Sequence, residues 1–314
     1  AVAGEGSGYT SYNGSDFVNL MDTVLATGAD SIEIRYGSYT LTRTLVFTAN
    51  SYFKLDAVGA IFNYTPTTGD AVVLKGALSS RYDFGAIIFT NGSTGAALHC
   101  QNEAGVNFLM SEITFTMLKS INQTGIGLYV DSSEEGIDTN YFMGTNIYGF
   151  NEGIRVADGT GVSGSKCDTN WFYASYVRDC NICIREGYPS GAYIDDNVWF
   201  VNVDATLTNS IAIKTGADKG YWHVIMGQGG GASTTGIVLD SGAIDNYFYV
   251  MPPFSTGPWD YTDNSGSLTN VIKDATGIIL GSSVSSGTFI VGHTGSISQA
   301  NGEAGYIQSH GKDS

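Results

Sequence analysis

The chain has 314 residues, of which 42 are Gly, 5 are Pro and 14% carry charge, and 30 acidic against 14 basic residues leave a net charge of -16. With 42% apolar residues, including 19 Tyr, 15 Phe and 4 Trp, the composition excludes disorder, and the irregular spacing of Gly excludes a collagen-like chain. No run of about 18 apolar residues occurs, so no membrane insertion is expected, and the acidic balance argues against nucleic acid as a partner, which needs clustered Lys and Arg.

Residues 1–14 read as an N-terminal extension. The sequence opens Ala1-Val2 without Met, and the triplets at Asn13, Asn63, Asn91 and Asn122 suit a secreted chain, although so many Asn, Ser and Thr supply such triplets by chance. Over Ser15 to Ala26 apolar residues fall at 17, 18, 20, 21, 24 and 25, the spacing of an amphipathic helix. Ser15 is the expected N-cap and Gly28 the expected stop, which places a capping helix at about 15–28.

From there one short phrase recurs every 20 to 30 residues: Gly69-Asp-Ala-Val-Val-Leu, Gly125-Ile-Gly-Leu-Tyr-Val, Gly153-Ile-Arg-Val, Asn181-Ile-Cys-Ile, Ser210-Ile-Ala-Ile, Gly236-Ile-Val-Leu and Gly277-Ile-Ile-Leu among them. Apolar and variable residues alternate, as in a strand with one buried face. Ile154/Val156, Ile182/Ile184, Ile211/Ile213 and Ile237/Leu239 are expected inside, with Arg155, Cys183, Ala212 and Val238 outside. A second phrase, Asn-aromatic-aromatic or its apolar variants, starts at Asn140, Asn170, Asn197, Asn246 and Asn270. Two strand phrases per repeat, separated by Gly, Ser, Asp and Asn, predict an all-β fold, a right-handed parallel β-helix over residues 15–280. The repeated Asn is expected to stack at a turn and bond the backbone of the next coil. Residues 281–314 read as an irregular segment and possible assembly region.

The opening helix, the strand, Tyr36-Gly37-Ser38-Tyr39 and Thr44-Leu45-Val46-Phe47 resemble the start of the pectate-lyase-like β-helix superfamily, in the branch of phage and archaeal-virus tailspikes and microbial surface proteins. Arg35-Tyr36 stands where members usually have Pro before the Gly. The resemblance implies the fold more strongly than any activity, because this scaffold hosts lyases, hydrolases and inert binders.

A β-helix presents its chemistry on outward side chains. Counting outward positions aligns His99, Tyr129, Ala157, Arg185, Lys214, Asp240 and Tyr261, with Arg155 one outward position from Ala157. Arg155, Arg185 and Lys214, with Tyr129, Trp259 and Tyr261 nearby, are the candidate ligand-binding set, suited to an anionic glycan by charge and ring contact. Asp179 and Asp204, expected to approach across adjacent coils, are the candidate catalytic carboxylates, as a glycosidase needs two. The motif sets of the superfamily's known enzymes are incomplete, the four His share no metal-ligand spacing, and no metal or cofactor is expected. Of the cysteines, Cys100 is expected inside and Cys167 in a turn; the sequence allows a disulfide from Cys167 to Cys180 or to Cys183 and does not choose between them.

Three functions follow as expectations. The first is an extracellular, cell-surface or virion protein of tailspike type that contacts polysaccharide as a homo-oligomer, a trimer or a polymer. The second is a structural or filament-forming surface solenoid. The third is a secreted polysaccharide lyase or glycoside hydrolase.

Overall fold

The computed structural model describes residues 16–102, 107–132, 136–158, 166–188, 194–227, 235–251, 260–267, 269–274, 277–280 and 289–292. They form a parallel β-solenoid of about eight turns with one short helix near its start. Residues 1–14 and Trp259 lie outside this set, as does most of 281–314.

The helix spans Phe17–Leu25 and buries Phe17, Val18, Met21 and Val24. Its N-cap is Asp16, one residue later than expected, whose carboxylate accepts from the Asn19 N–H at 3.1 Å. Gly28 follows with φ +70°, a left-handed value that ends the helix without strain. The Phe17 ring lies 4.5 Å from that of Tyr39 and 5.6 Å from that of Phe62. The helix therefore covers apolar surface at the first coils, the closure a solenoid end needs.

Each full coil contributes one strand to each of two sheets. The first sheet runs through Lys54–Tyr64, Arg81–Phe89, Glu112–Ser120, Tyr141–Tyr148, Trp171–Arg178, Val198–Asp204, Tyr221–Met226, Tyr247–Met251 and Val271–Asp274, all parallel. The second runs through Val72–Leu78, Ala96–Gln101, Ile126–Ser132, Glu152–Asp158, Ile182–Tyr188, Ile211–Thr215, Thr235–Leu239 and Asp260–Asp263. A short ladder of two-residue strands, Phe108–Leu109, Ile137–Asp138, Cys167–Asp168 and Ile194–Asp195, extends the second sheet. Parallel winding stops at Asp274: Gly277–Leu280 pairs antiparallel with Val271–Asp274, and Phe289–Gly292 pairs antiparallel with Gly277–Leu280. The Gly277 phrase is thus part of a hairpin-like ending and not a further coil.

The core is a stack of layers. Phe142, Phe172, Trp199, Trp222 and Phe248 follow one another with centroids 4.9, 4.0, 4.6 and 5.1 Å apart. In-register pairing sets this spacing, because neighbouring strands lie about 4.8 Å apart. All four cysteines are buried and free; Cys167 sits in a short strand between Ile137 and Ile194, not in a turn.

The asparagines stack at a turn as expected. Asn140 accepts from the Ser111 N–H at 2.9 Å, Asn170 from the Asn140 N–H at 3.1 Å, Asn197 from the Asn170 N–H at 3.0 Å and Asn270 from the Asn246 N–H at 3.0 Å. Ser80 and Ser111 play the same part in earlier coils. One residue before each ladder position from Ser80 to Asn246 the chain takes a left-handed φ of +48° to +58°, at Ser79, Met110, Thr139, Thr169, Asp196, Lys219 and Asp245. For β-branched Thr139 and Thr169 this conformation is strained, and the buried amide bonds hold it. Gly220 takes the ladder position between Asn197 and Asn246. A Cβ there would stand 2.5 Å from the Trp222 indole nitrogen and 2.6 Å from Asn246 Oδ1, so the close approach of the Trp stack requires Gly.

Register departs from the expected alignment. Ile154 pairs with Ile184, Ile184 with Ile213 and Ile213 with Ile237, a shift of two residues from pairing Ile154 with Ile182. Cys183 and Ala212, expected outside, are buried, whereas Ile182 and Ile211 are half-buried.

Candidate binding ladder and carboxylates

The corrected register assembles a file on the outer face of the second sheet. His99 pairs with Tyr129, Tyr129 with Arg155, Arg155 with Arg185 and Arg185 with Lys214. Arg155 is therefore in the file itself, and Ala157, expected there, is buried one outward step away. Four of the six expected binding residues stand on consecutive coils. Tyr261 does not join them: a register shift pairs it with Ile237, and it packs against the core. Trp259 lies outside the described residues.

The file opens with two stacked rings. The Tyr129 ring lies 4.4 Å from the His99 imidazole with 20° between planes, and the Arg155 guanidinium is 5.6 Å from the Tyr129 centroid, within cation–π range.

Carboxylates interleave with the cations. Buried Glu152 accepts from Arg155 Nε at 2.6 Å and stands 3.4 Å from Arg185 Nε. Lys214 Nζ lies 3.2 Å from Asp240, which belongs beside the file and not in it. His99 Nδ1 is 2.9 Å from Asp70 and its Nε2 is 3.7 Å from Asp131, the second an ion-pair distance without a hydrogen bond. Burial draws the His99 pKa down, but the two carboxylates outweigh it and hold the imidazole above its ordinary value. Burial likewise raises Asp70, and His99 with the Ala96 N–H more than offsets this, leaving it below the usual carboxylate range. The expected cationic face is thus a compensated ionic ladder, with Glu152 beside Arg155 and Arg185 and Asp240 beside Lys214.

The carboxylates proposed for catalysis do occupy neighbouring coils, since Arg178 pairs with Asp204 and Asp179 follows Arg178. Asp179 sits in a turn at φ +53°, accepts from the Thr206 hydroxyl and lies 3.9 Å from Arg178 Nε. Asp204 is buried and accepts from the Tyr176 hydroxyl. Both carboxyls thus bond to hydroxyls of other coils, with Asp204 4% exposed and the Asp179 side chain partly exposed.

Three features escaped the sequence reading. Glu186 points into the core, where Asn197 Nδ2 (3.2 Å), Trp199 Nε1 (3.1 Å) and Thr215 Oγ1 (3.1 Å) donate to it, and burial outweighs these bonds to push its pKa up to about 7. Its signal was the missing ladder side chain at Gly220, which frees Asn197 to bond elsewhere. Asp138, Asp168 and Asp195 stack in register, and burial followed by the Asp138 charge raises Asp168 to about 6. Among the described residues, no group of three or more His, Cys, Asp or Glu is placed to hold a metal ion. The third feature is the aromatic outer face of the first sheet, visible only once the Tyr and Trp of the Asn phrases are placed side by side. No protein-family description, no curated protein and no solved structure matches this chain.

Proposed function

We propose that the protein is a pectate-lyase-like β-helix of tailspike or fibre type, extracellular or on a virion, that contacts cell-surface polysaccharide along Tyr129, Arg155, Arg185 and Lys214. The observation that carries this reading is the unbroken register of the four residues on consecutive coils. Their repeat of about 4.8 Å is comparable to the length of one sugar residue, so an extended glycan running along the solenoid meets an equivalent group at each step.

Guanidinium and ammonium groups donate to sugar hydroxyls, Glu152 and Asp240 orient them, and the Tyr129 ring supplies apolar contact. Because each cation has a carboxylate beside it, the ladder favours a hydroxyl-rich glycan of low charge density over a densely anionic one. Net attraction to a polyanion needs uncompensated cations.

Glycan-array screening followed by calorimetry tests the reading. The Arg155→Ala/Arg185→Ala/Lys214→Ala variant, with wild-type circular dichroism, should bind the selected glycan at least about tenfold more weakly, the equivalent of about 1.4 kcal/mol. Unchanged affinity ends the proposal.

A further inference from the structure

His99 begins the file that carries Tyr129, Arg155, Arg185 and Lys214, and its side chain is 10% exposed. Its two ring nitrogens meet carboxylates from the coils on either side. Nδ1 stands 2.9 Å from Asp70, just before Val72–Leu78, and Nε2 stands 3.7 Å from Asp131, in Ile126–Ser132. Asp70 is fixed from its other oxygen, which accepts from the Ala96 N–H at 2.6 Å. On the Asp131 side, Nε2 is a buried nitrogen without a hydrogen-bond partner.

Asp131 also acts on Tyr129. Burial, and then the Asp131 charge, hold the Tyr129 hydroxyl above the ordinary tyrosine pKa. The Tyr129 ring stacks on the imidazole at 4.4 Å and 20°, and the Arg155 guanidinium lies 5.6 Å from its centroid. Among the described residues, the groups that face the imidazole are therefore Asp70, Asp131 and Tyr129. Arg155 lies beyond the ring, and Lys75 stands in the adjoining file two coils from Asp131.

The two protonation states act differently on this cluster. The imidazolium donates from Nδ1 to Asp70, presents a second N–H to Asp131, and attracts the Tyr129 ring as a cation. The neutral ring keeps one proton. On Nδ1, at the shorter contact, that proton preserves the Asp70 bond. The Nε2 lone pair then faces the Asp131 carboxylate, acceptor against acceptor, where the Asp131 side chain is only 17% exposed. We propose that His99 is a positioning residue for Tyr129 that makes the ladder acid-gated: the imidazolium holds Asp131 and the Tyr129 ring in place for a sugar, and its deprotonation releases both. This gate rests on glycan contact along Tyr129, Arg155, Arg185 and Lys214 and adds the regulation of that contact. The two carboxylates set the transition above the ordinary histidine value of 6.5. The ordered state is complete below that pH and is lost as pH rises through the folded-state value.

Calorimetry with the array-selected glycan, from about pH 5.5 to 9, tests it. Wild-type affinity should fall about threefold to tenfold across the His99 transition, the effect of ordering one side chain at an interface. His99→Gln does not titrate and should show no such step. Glu186→Gln should keep the step, which separates His99 from the core carboxyl that also titrates near neutrality. Asp131→Asn offers Nε2 an amide donor and should also abolish the fall; it carries the test if His99→Gln fails to fold. A pH-independent wild-type affinity, or a step that survives in the folded variants of His99 and Asp131, overturns the proposal. Proton NMR without glycan separates the gate from the binding reading, because the Tyr129 ring signals should shift with the His99 titration. Absence of glycan binding at every pH ends the binding reading alone, whereas Tyr129 signals that ignore the His99 titration end the gate.

Discussion

The outer faces of the two sheets hang from the same coils and carry opposite chemistry. Along the second sheet Arg155, Arg185 and Lys214 follow Tyr129 with carboxylates beside them; along the first, Trp171, Tyr173, Phe200 and Tyr221 present uncharged rings. In-register stacking repeats each outward choice on the next coil at about 4.8 Å. Identical unpaired charges repel at that spacing, whereas identical rings attract. The ionic file therefore survives only with Glu152 and Asp240 beside it, and the aromatic file needs no such support. A stacked solenoid tolerates like neighbours when they are apolar and demands partners when they are charged.

Four substitutions test how far that contrast goes. The largest effect should come from Asn170→Ala beneath both faces. Removing this amide leaves the Asn140 N–H and the Ile137 carbonyl without their side-chain partner, for a loss of about 2–6 kcal/mol at about 1–3 kcal/mol per unsatisfied group. Urea unfolding should show both faces loosening in one transition; a loss below about 1 kcal/mol breaks the idea of a shared scaffold.

Glu186→Gln comes next. The carboxyl rises from 4.5 to about 7 on folding. Its protonated form is the one the fold prefers, so this contribution to stability is complete below pH 4.5 and is lost as pH rises through 7. At pH 8 the Gln variant should be more stable by up to about 3 kcal/mol, at 1.36 kcal/mol per unit, with a flatter profile between about pH 5 and 7. Urea melts across that range decide it, and an unchanged slope removes Glu186 as the cause.

Glu152→Gln tests compensation directly. Arg155 and Arg185 would share an amide in place of a carboxylate, lowering stability by about 1–2 kcal/mol and shifting glycan preference toward acidic chains. An unshifted preference on the array contradicts the charge argument. The smallest effect should be that of Lys214→Ala, whose pair with Asp240 is partly exposed and contributes no more than about 0.5 kcal/mol. Thermal unfolding of the two single variants ranks them.

Much of the fold was legible because it repeats. Period-2 alternation marked Ile184, Ile213 and Ile237 as core, the Asn phrases marked the turn ladder, and the helix before the first strand marked the capped end. The site was legible in part. Arg155, Arg185, Lys214 and Tyr129 were identified as outward, but their arrangement was misjudged by two residues, and Tyr261 was assigned to the wrong face. Side-chain alternation repeats every two residues, so a slip of two leaves every apolar residue inside and costs the pattern nothing.

What the sequence determined by itself was which residues alternate, which recur and therefore which architecture buries them. What only the tertiary structure decided was register: the left-handed residues before Asn140, Asn170 and Asn197, and the buried amides that follow them, lock each coil at one offset. Compensation was decided in part at the same level, because whether Arg185 of the next coil stands beside Glu152 depends on one offset among several that a repeating sequence allows. Buried hydrogen bonds select that offset, since any other leaves their donors unpaired in the core.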